Sequence, residues 1–219
     1  MYKPLKRLFD ITIALLALII LSPILLPVIV LLLLTGEHKV FYFQQRVGYL
    51  NKEFSIYKFA TMLQNSPNIG TGEITLRNDP RVTSFGKFLR KTKINELPQI
   101  INVLKGDMSI VGPRPLMKKS FDLYTTDIQE NIYRSKPGIT GIGSVIFRDE
   151  EKMVSEAADY RHMYNNVIYP YKGKLELWYL QHASIITDIK IIFLTAWSIL
   201  FPENQLAKSF FKNLPARKF

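Results

Sequence analysis

The chain has 219 residues and a formal net charge of +11 at pH 7, and 47% of its residues are hydrophobic. This length suits one domain with little room for a second. The absence of cysteine excludes disulfides and cysteine-based metal sites, while the positive charge favours an anionic partner: nucleic acid, anionic lipid or a phosphorylated substrate.

A long apolar run from Ile11 to Leu34 follows the basic residues Lys3, Lys6 and Arg7. As a helix it would reach roughly 36 Å, enough to cross a hydrocarbon core of about 30 Å. Ser22–Pro23 lies at its middle, which predicts a kink. Basic residues also follow the run, and positive flanks are typical of the cytoplasmic side. The sequence is compatible both with a helix that spans the membrane and with a hairpin that returns to the same face of the membrane.

Residues 40–62 alternate apolar and polar positions around a turn at 49–52, which predicts a β-hairpin. On this pattern alone, Arg46 and Lys58 are more readily explained as solvated strand positions than as site residues. Residues 63–80 are rich in polar residues, glycine and proline and predict a loop over the site. Residues 81–91 carry an apolar face opposite basic residues, which fits either a membrane-surface helix or an ordinary solvated one.

The stretch 90–115 joins a basic cluster, a carboxylate and a proline-flanked arginine. Apolar residues from Leu97 to Leu104 recur at helical spacing, and Asn95 before them is a suitable N-cap. Glu96 would then lie at the helix N-terminus, where anions are favoured. Residues 77–119 contain ten Lys or Arg against three Asp or Glu. Arg114, held between two prolines, suits bidentate phosphate binding.

The rest of the chain predicts mainly helices. Residues 120–134 fit an amphipathic helix, 136–145 a glycine-rich turn followed by a strand, and 174–201 a closing helix whose charges argue against a second membrane span. The acidic cluster 148–151 is typical of a solvated helix start. The aromatic and basic tail after residue 201 could rest on an anionic membrane.

Three motifs carry a family resemblance: NELPQ (95–99), NVLKGDMS (102–109) and VGPRP (111–115). With the segments around 45–62 and 136–145, they resemble the bacterial sugar transferases, the monotopic polyprenyl-phosphate phosphoglycosyl transferases. The similarity covers residues 2–200 approximately. It implies an α+β fold in which a re-entrant membrane helix precedes a small, mostly helical catalytic domain with a short β-hairpin and surface amphipathic helices.

The resemblance divides the chain into a membrane-embedded segment (1–36), a catalytic domain (37–201) and a tail (202–219). It implies that a sugar-1-phosphate passes from a UDP-sugar to polyprenyl (undecaprenyl) phosphate with release of UMP, as the first step of glycoconjugate or polysaccharide synthesis. The catalytic domain would face the cytoplasm at the bacterial inner membrane. The implied partners are both substrates and membrane lipids but not nucleic acid; association with a second copy stays open.

The same resemblance implies the site residues. Position 95 is that of the family's nucleophilic Asp, and Glu96 supports Mg²⁺. Ser22 and Pro23 form the membrane kink. The expected substrate- and phosphate-binding residues are Lys58, Arg81, Arg90, Arg114 and Glu176.

Asn95 departs from the family pattern, because a neutral amide is a poor nucleophile whereas carboxylates form covalent intermediates. Three explanations stay open. Asn95 is an engineered replacement of Asp that stalls the reaction; or it is a natural variant in which Glu96 or a carboxylate from Asp149 to Glu151 takes over; or the chain has lost activity and serves as a membrane-associated subunit that binds lipid phosphate. Nucleic-acid binding, the other class suggested by charge, lacks an accompanying motif.

Overall fold

The computed structural model of the chain describes residues 2–66, 79–148 and 150–201, together with 206, 210–211 and 213–216. These residues form a mixed helix-and-strand fold with one long apolar N-terminal helix and two small sheets, as predicted. Most of the predicted loop 63–80 and most of the tail 202–219 lie outside the described residues.

Ten α-helices and four strands follow one another in the described residues. The strands are β1 (Phe41–Val47), β2 (Glu53–Phe59), β3 (Ser109–Val111) and β4 (Gly138–Thr140). The helices are α1 (Tyr2–Leu34), α2 (Ser84–Lys91), α3 (Gln99–Lys105), α4 (Lys118–Phe121), α5 (Thr126–Asn131), α6 (Ile142–Ile146), α7 (Glu150–Ser155), α8 (Tyr160–His162), α9 (Tyr169–His182) and α10 (Ile185–Leu200).

Helix α1 is long and apolar enough, from Lys3 to Leu34, to cross a membrane by length and composition. Pro23 and Pro27 both lie inside it. Pro23 has no N–H to donate to the carbonyl of Ile19, four residues earlier. The Ser22 hydroxyl donates to that carbonyl instead, at 2.9 Å. The helix therefore continues through Ser22–Pro23, and the predicted reversal of direction stays a prediction.

Both ends of α1 contact the rest of the fold. At the N-terminal end, the Arg7 guanidinium donates to the carbonyls of Val103 and Leu104, which lie in the last turn of α3. At the other end, Val28 and Leu32 join a buried cluster with residues of β2 and α2. The middle of α1 is largely exposed.

The predicted hairpin is confirmed. Strands β1 and β2 pair in antiparallel register from Phe41 opposite Phe59 to Val47 opposite Glu53. The second sheet pairs β3 with β4 in parallel, Ser109 opposite Gly138 and Val111 opposite Thr140. Since β3 runs directly into the Pro113–Arg114–Pro115 segment, this short sheet positions that segment.

The prediction that Asn95 caps the following helix is wrong. Helix α3 begins at Gln99, and Asn95 lies in a short 3₁₀ turn, Ile94–Glu96. A capping side chain accepts from the N–H two or three residues later. Pro98 has no N–H, and the N–H of Leu97 donates to the Ile94 carbonyl, so no donor remains for Asn95.

Three later elements also differ from prediction. The expected helix over 120–134 is divided into α4, α5 and a 3₁₀ turn. The strand expected after the glycine-rich turn is β4 itself, and α6 follows it. The closing helix is two helices, because Ala183 is extended and the Ser184 hydroxyl accepts from the N–H of Thr187 to begin α10.

A buried ion network joins α1 to the core. The Lys6 ammonium lies 2.8 Å from Asp10 Oδ1 and 3.1 Å from Asp188 Oδ2 of α10. Asp10 also accepts from the Ser109 hydroxyl and the Ile110 N–H. Tyr179 donates its hydroxyl to Asp188 Oδ1 at 2.7 Å. One cation thus holds two buried carboxylates, which links α1 to β3 and α10.

Replacing Lys6 by methionine should lower the free energy of unfolding by about 3–5 kcal/mol, because two buried carboxylates would lose their counter-ion. The thermal unfolding midpoint of the detergent-solubilised chain measures this loss. Lys3→Met is the matched control, since Lys3 is exposed on the same helix; its effect should stay within about 0.5 kcal/mol. Equal midpoints for the two variants would contradict the assigned role of the network.

Candidate active site

Three side chains from distant parts of the sequence meet at one carboxylate oxygen. Lys58 Nζ of β2 lies 2.8 Å from Glu96 Oε1, and the Arg114 guanidinium lies 3.1 Å from the same atom. Burial alone would raise the pKa of Glu96, but the charges of Lys58 and Arg114 outweigh it and hold that pKa well below its ordinary value. Glu96 is therefore ionised at neutral pH.

The two cations respond differently to this carboxylate. Burial, together with the neighbouring charges of Arg114 and Arg46, lowers the pKa of Lys58 to about 8, although Glu96 opposes the shift. The pKa of Arg114 is raised, chiefly by Glu96. A small pocket lies at this cluster, lined by Arg46, Ile56, Lys58, Glu96, Gln99, Arg114 and Pro115. It combines a positively charged wall with one fixed carboxylate, which suits a phosphate-bearing ligand.

The backbone of Arg114 is held on both sides. Its carbonyl accepts from the Tyr133 hydroxyl at 2.8 Å, and that hydroxyl accepts from the Leu116 N–H at 2.9 Å. Its own N–H donates to the carboxylate of Glu176. Gly112 leads into this segment, where a Cβ would lie 2.3 Å from the Lys136 carbonyl, so only glycine fits. The arginine is therefore presented by a fixed backbone.

Glu176 of α9 lies behind Arg114 and is 2% exposed. It accepts backbone hydrogen bonds from Arg114 and Gly143, but burial is the larger influence and raises its pKa to about 7. Its Oε2 has no hydrogen-bond partner among the described residues. Glu176 thus contacts the Pro113–Arg114–Pro115 segment through the backbone N–H of Arg114. It is not among the residues that line the pocket of Glu96.

The structure does not bring every predicted residue to this pocket. Arg81 is 3% exposed and forms a two-pronged ion pair with Asp79, and it also donates to the Ser66 carbonyl. Arg90 lies close enough for its charge to act on both Asp79 and Lys93. Lys58, Glu96 and Arg114 come together, Glu176 supports Arg114, and Arg81 is paired with Asp79.

Asn95 is buried beside this cluster. It is 8% exposed, and its Oδ1 accepts no hydrogen bond within the described part of the chain. Lys93 precedes it with φ +61°, a left-handed conformation that costs energy for a lysine and is common at functional sites. The turn therefore presents Asn95 and Glu96 together in a locally strained segment.

Sequence reasoning missed Tyr133, because nothing in its local pattern distinguishes it from a core tyrosine. The acidic cluster that contains Glu150 was predicted to be a solvated helix start, with one of its carboxylates as an alternative nucleophile. Glu150 Oε2 lies 2.8 Å from the ammonium of the buried Lys172 of α9. Arg114 and Lys93 also act on Glu150 electrostatically, so this carboxylate belongs to the neighbourhood of the site.

An apolar helix long enough to cross a membrane and a cationic pocket built on one ionised carboxylate are together typical of membrane-associated enzymes that handle phosphorylated substrates. The chain belongs to the bacterial sugar transferase family, which matches residues 1–202. Two of the motifs from which this membership was predicted, NELPQ and VGPRP, contribute Glu96, Gln99, Arg114 and Pro115 to the pocket.

Named relatives specify the family further. The chain is 35% identical over 210 residues to an undecaprenyl-phosphate galactose phosphotransferase of Salmonella typhimurium, covering 90% of this chain and 40% of the relative. It is 37% identical over 201 residues to a UDP-N-acetylgalactosamine-undecaprenyl-phosphate N-acetylgalactosaminephosphotransferase of Aeromonas hydrophila, covering 91% and 44%. An uncharacterized sugar transferase, EpsL of Bacillus subtilis, is 38% identical over 199 residues, covering 91% and 89%. The chain therefore spans less than half of the first two relatives and most of the third.

Replacing Glu176 by glutamine tests the electrostatics of the site. The folded-state pKa of about 7 lies above the ordinary value of 4.5, so the folded chain binds this proton more tightly than the unfolded chain. Protonated Glu176 therefore stabilises the folded wild-type chain. This stabilisation is complete below about pH 4.5 and is lost as the pH rises through about 7. Glutamine keeps an acceptor oxygen and does not titrate. We expect the stability of Glu176→Gln relative to wild type to increase between about pH 5 and about pH 8.

Urea unfolding of both proteins across that range measures the difference. Glu156→Gln is the control, because Glu156 is exposed and its substitution should leave the free energy of unfolding within about 0.5 kcal/mol of wild type. A constant difference between Glu176→Gln and wild type would contradict the raised pKa.

Proposed function

We propose that the chain transfers a sugar-1-phosphate from a UDP-sugar to polyprenyl phosphate and releases UMP. The observation that carries this proposal is the convergence of Lys58 and Arg114 on the ionised Glu96 in a chain of the bacterial sugar transferase family. Relatives named as undecaprenyl-phosphate galactose and N-acetylgalactosamine phosphotransferases support the same substrates. A relative of Komagataeibacter xylinus is named for glucose, so the sugar varies within the family.

In this proposal the diphosphate of the UDP-sugar binds between Lys58 and Arg114. Arg114 presents a rigid fork of donors on a backbone fixed by Tyr133 and Glu176, and such a fork matches phosphate oxygens. Lys58 contributes a point charge from β2. Fixed donors of this kind stabilise the charge that develops as the phosphoryl group is transferred. Arg90 and Arg81 act further out, Arg81 through its pairing with Asp79.

Mg²⁺ is the ion expected for this reaction. The described residues contain no group of three His, Cys, Asp or Glu side chains that could hold a metal by themselves. Mg²⁺ commonly takes one or two protein oxygens and completes its shell with phosphate and water. Glu96 and the unpartnered Oδ1 of Asn95 fit that demand. When bound there, the ion would neutralise charge on the diphosphate.

The first experiment measures UMP release from a panel of UDP-sugars with undecaprenyl phosphate and Mg²⁺. We expect release by the wild-type chain that requires both the lipid phosphate and the ion, with Asn95→Asp assayed beside it. Release only after Asn95→Asp would mark the wild-type chain as stalled at transfer. If neither protein releases UMP, the result would contradict the proposed function and favour a subunit that binds lipid phosphate without transfer.

We further propose that α1 is re-entrant and that both of its ends face the cytoplasm at the inner membrane. Support comes from the contacts that both ends make with the same folded part of the chain, Arg7 with α3 and Leu32 with the cluster beneath α2. A straight helix of this length would reach about 50 Å, which would carry one end away from the other. The Ser22–Pro23 pair supplies a site at which the direction can change.

Single cysteines at Lys3 and Glu37 test this topology, because the chain has no cysteine of its own and both positions are exposed. A membrane-impermeant maleimide should label both variants in inverted membrane vesicles and neither in intact cells. A third cysteine at the exposed Glu156 marks the side of the catalytic domain. Labelling of Lys3→Cys and Glu37→Cys from opposite sides would establish a spanning helix instead.

A further inference from the structure

One face of the β1–β2 hairpin carries a row of aromatic rings that contact one another. Phe41 stacks on Phe59 with 5.7 Å between the ring centres, and it lies 6.3 Å from Phe43. Phe43 meets Tyr57 edge-on at 5.1 Å. Phe59 is buried and Tyr57 is half-buried, but Phe41 and Phe43 are exposed. Contiguous exposed apolar side chains are typical of a surface that binds an apolar partner.

Helix α3 extends this row. The Lys105 ammonium lies 5.1 Å from the centre of the Tyr57 ring and donates to the Tyr57 hydroxyl at 3.1 Å. Ile101, one turn earlier on the same side of α3, is exposed. Together these residues form one surface, the aromatic face: Phe41, Phe43, Tyr57, Ile101 and Lys105. It combines apolar groups with a phenol and an ammonium, the mixture favoured where hydrocarbon meets lipid headgroups.

The aromatic face is continuous with the long apolar helix α1. Phe59, on which Phe41 stacks, belongs to a buried cluster with Val28 and Leu32 of α1. Helix α3, which carries the other end of the aromatic face, accepts hydrogen bonds from Arg7 of α1. The part of α1 between these two contacts is apolar and largely exposed. A bilayer that covers this part of α1 would therefore adjoin the aromatic face.

The opposite face of the hairpin lines the cationic pocket. Successive side chains of a strand point to opposite faces, so Lys58 lies on the other side of β2 from Tyr57 and Phe59. Lys58, Ile56 and Arg46 all line the pocket. The hairpin is thus a single layer between the pocket and the aromatic face. Anything that the aromatic face rests on would set the position of Lys58 relative to it.

We propose that the aromatic face is a membrane-contact surface, which rests at the boundary between the headgroups and the acyl chains of an anionic bilayer. Buried apolar area and attraction to anionic lipid together determine the strength of such binding. The aromatic rings supply the apolar area. The Lys105 side chain, which is 52% exposed, and the exposed Lys39 just before β1 supply the charge. This contact is additional to α1 and fixes the height of the pocket above the lipid.

A fluorophore on the aromatic face tests the contact, because the chain has no cysteine of its own. Phe43→Cys is labelled with nitrobenzoxadiazole, and the full chain is reconstituted into vesicles of phosphatidylethanolamine and phosphatidylglycerol. The matched control is Leu123→Cys, since Leu123 is 47% exposed against 56% for Phe43 and lies between α4 and α5. We expect emission from position 43 to shift to shorter wavelength and to be quenched by brominated acyl chains. Position 123 should show neither change.

A second probe at Ile101→Cys guards against a local distortion of the hairpin, because it reports from α3 and should be quenched as at position 43. Brominated lipid that quenches neither probe, or quenches position 123 equally, overturns the inference. A second copy of the chain is the competing occupant. If Phe43→Cys instead forms a disulfide between two copies in the membrane under mild oxidation, a second copy covers the aromatic face and the inference is wrong.

Activity gives a separate readout of the positioning effect. The double substitution Phe43→Ser with Ile101→Ser should lower UMP release several-fold in vesicles and leave release in detergent unchanged, whereas Leu123→Ser should match wild type in both. Unchanged release in vesicles would overturn the effect on pocket height. The inference goes beyond the proposed function, since quenching at positions 43 and 101 in a chain that releases no UMP would leave the lipid contact established while the proposed function fails.

Discussion

The position of the active site depends on the ion pairs that Lys6 forms with Asp10 and Asp188. Three buried charges in an interior of low dielectric are costly, and hydrogen bonds from Ser109 and Tyr179 offset part of that cost. These contacts fix α1 and α10 against β3, the strand that ends just before Arg114. The long apolar helix α1 is thereby fixed in a defined orientation to the strand that ends just before Arg114.

Much of the fold follows from patterns that are local in the sequence. The alternation in 40–62 predicts the hairpin correctly, because register and turn are set by neighbouring residues. The break before α10 could not be predicted, since the apolar residues on either side continue at helical spacing. It depends on the extended Ala183 and on the capping hydroxyl of Ser184. Asn95 was assigned as a cap by residue type, and the assignment failed because Pro98 removes the donor that a cap requires.

The site was less predictable, because it depends on charges that meet only after folding. Residue type and motif pointed to Glu96 and Arg114, but no local pattern joins Lys58 to them across 38 residues of sequence. The Glu150–Lys172 pair is equally invisible, since it needs α9 to pass behind α6 and α7. In both cases burial alone would raise the pKa of the carboxylate, but the cations that folding brings close outweigh burial and lower that pKa.

The proposed transfer between a nucleotide sugar and a lipid phosphate would require one site to meet both water and bilayer. Strand β2 runs between the cationic pocket and an apolar groove. Lys58 on this strand contacts Glu96, while Ala60 and Met62 just beyond it line a largely apolar groove with Leu32 of α1 and Phe85 of α2. A lipid phosphate that reaches the strand along α1 would bring its charge toward the cations and leave its chain among apolar side chains. The re-entrant topology proposed above would keep both ends of α1 on the side where the nucleotide sugar is found, whereas a straight spanning helix would separate them.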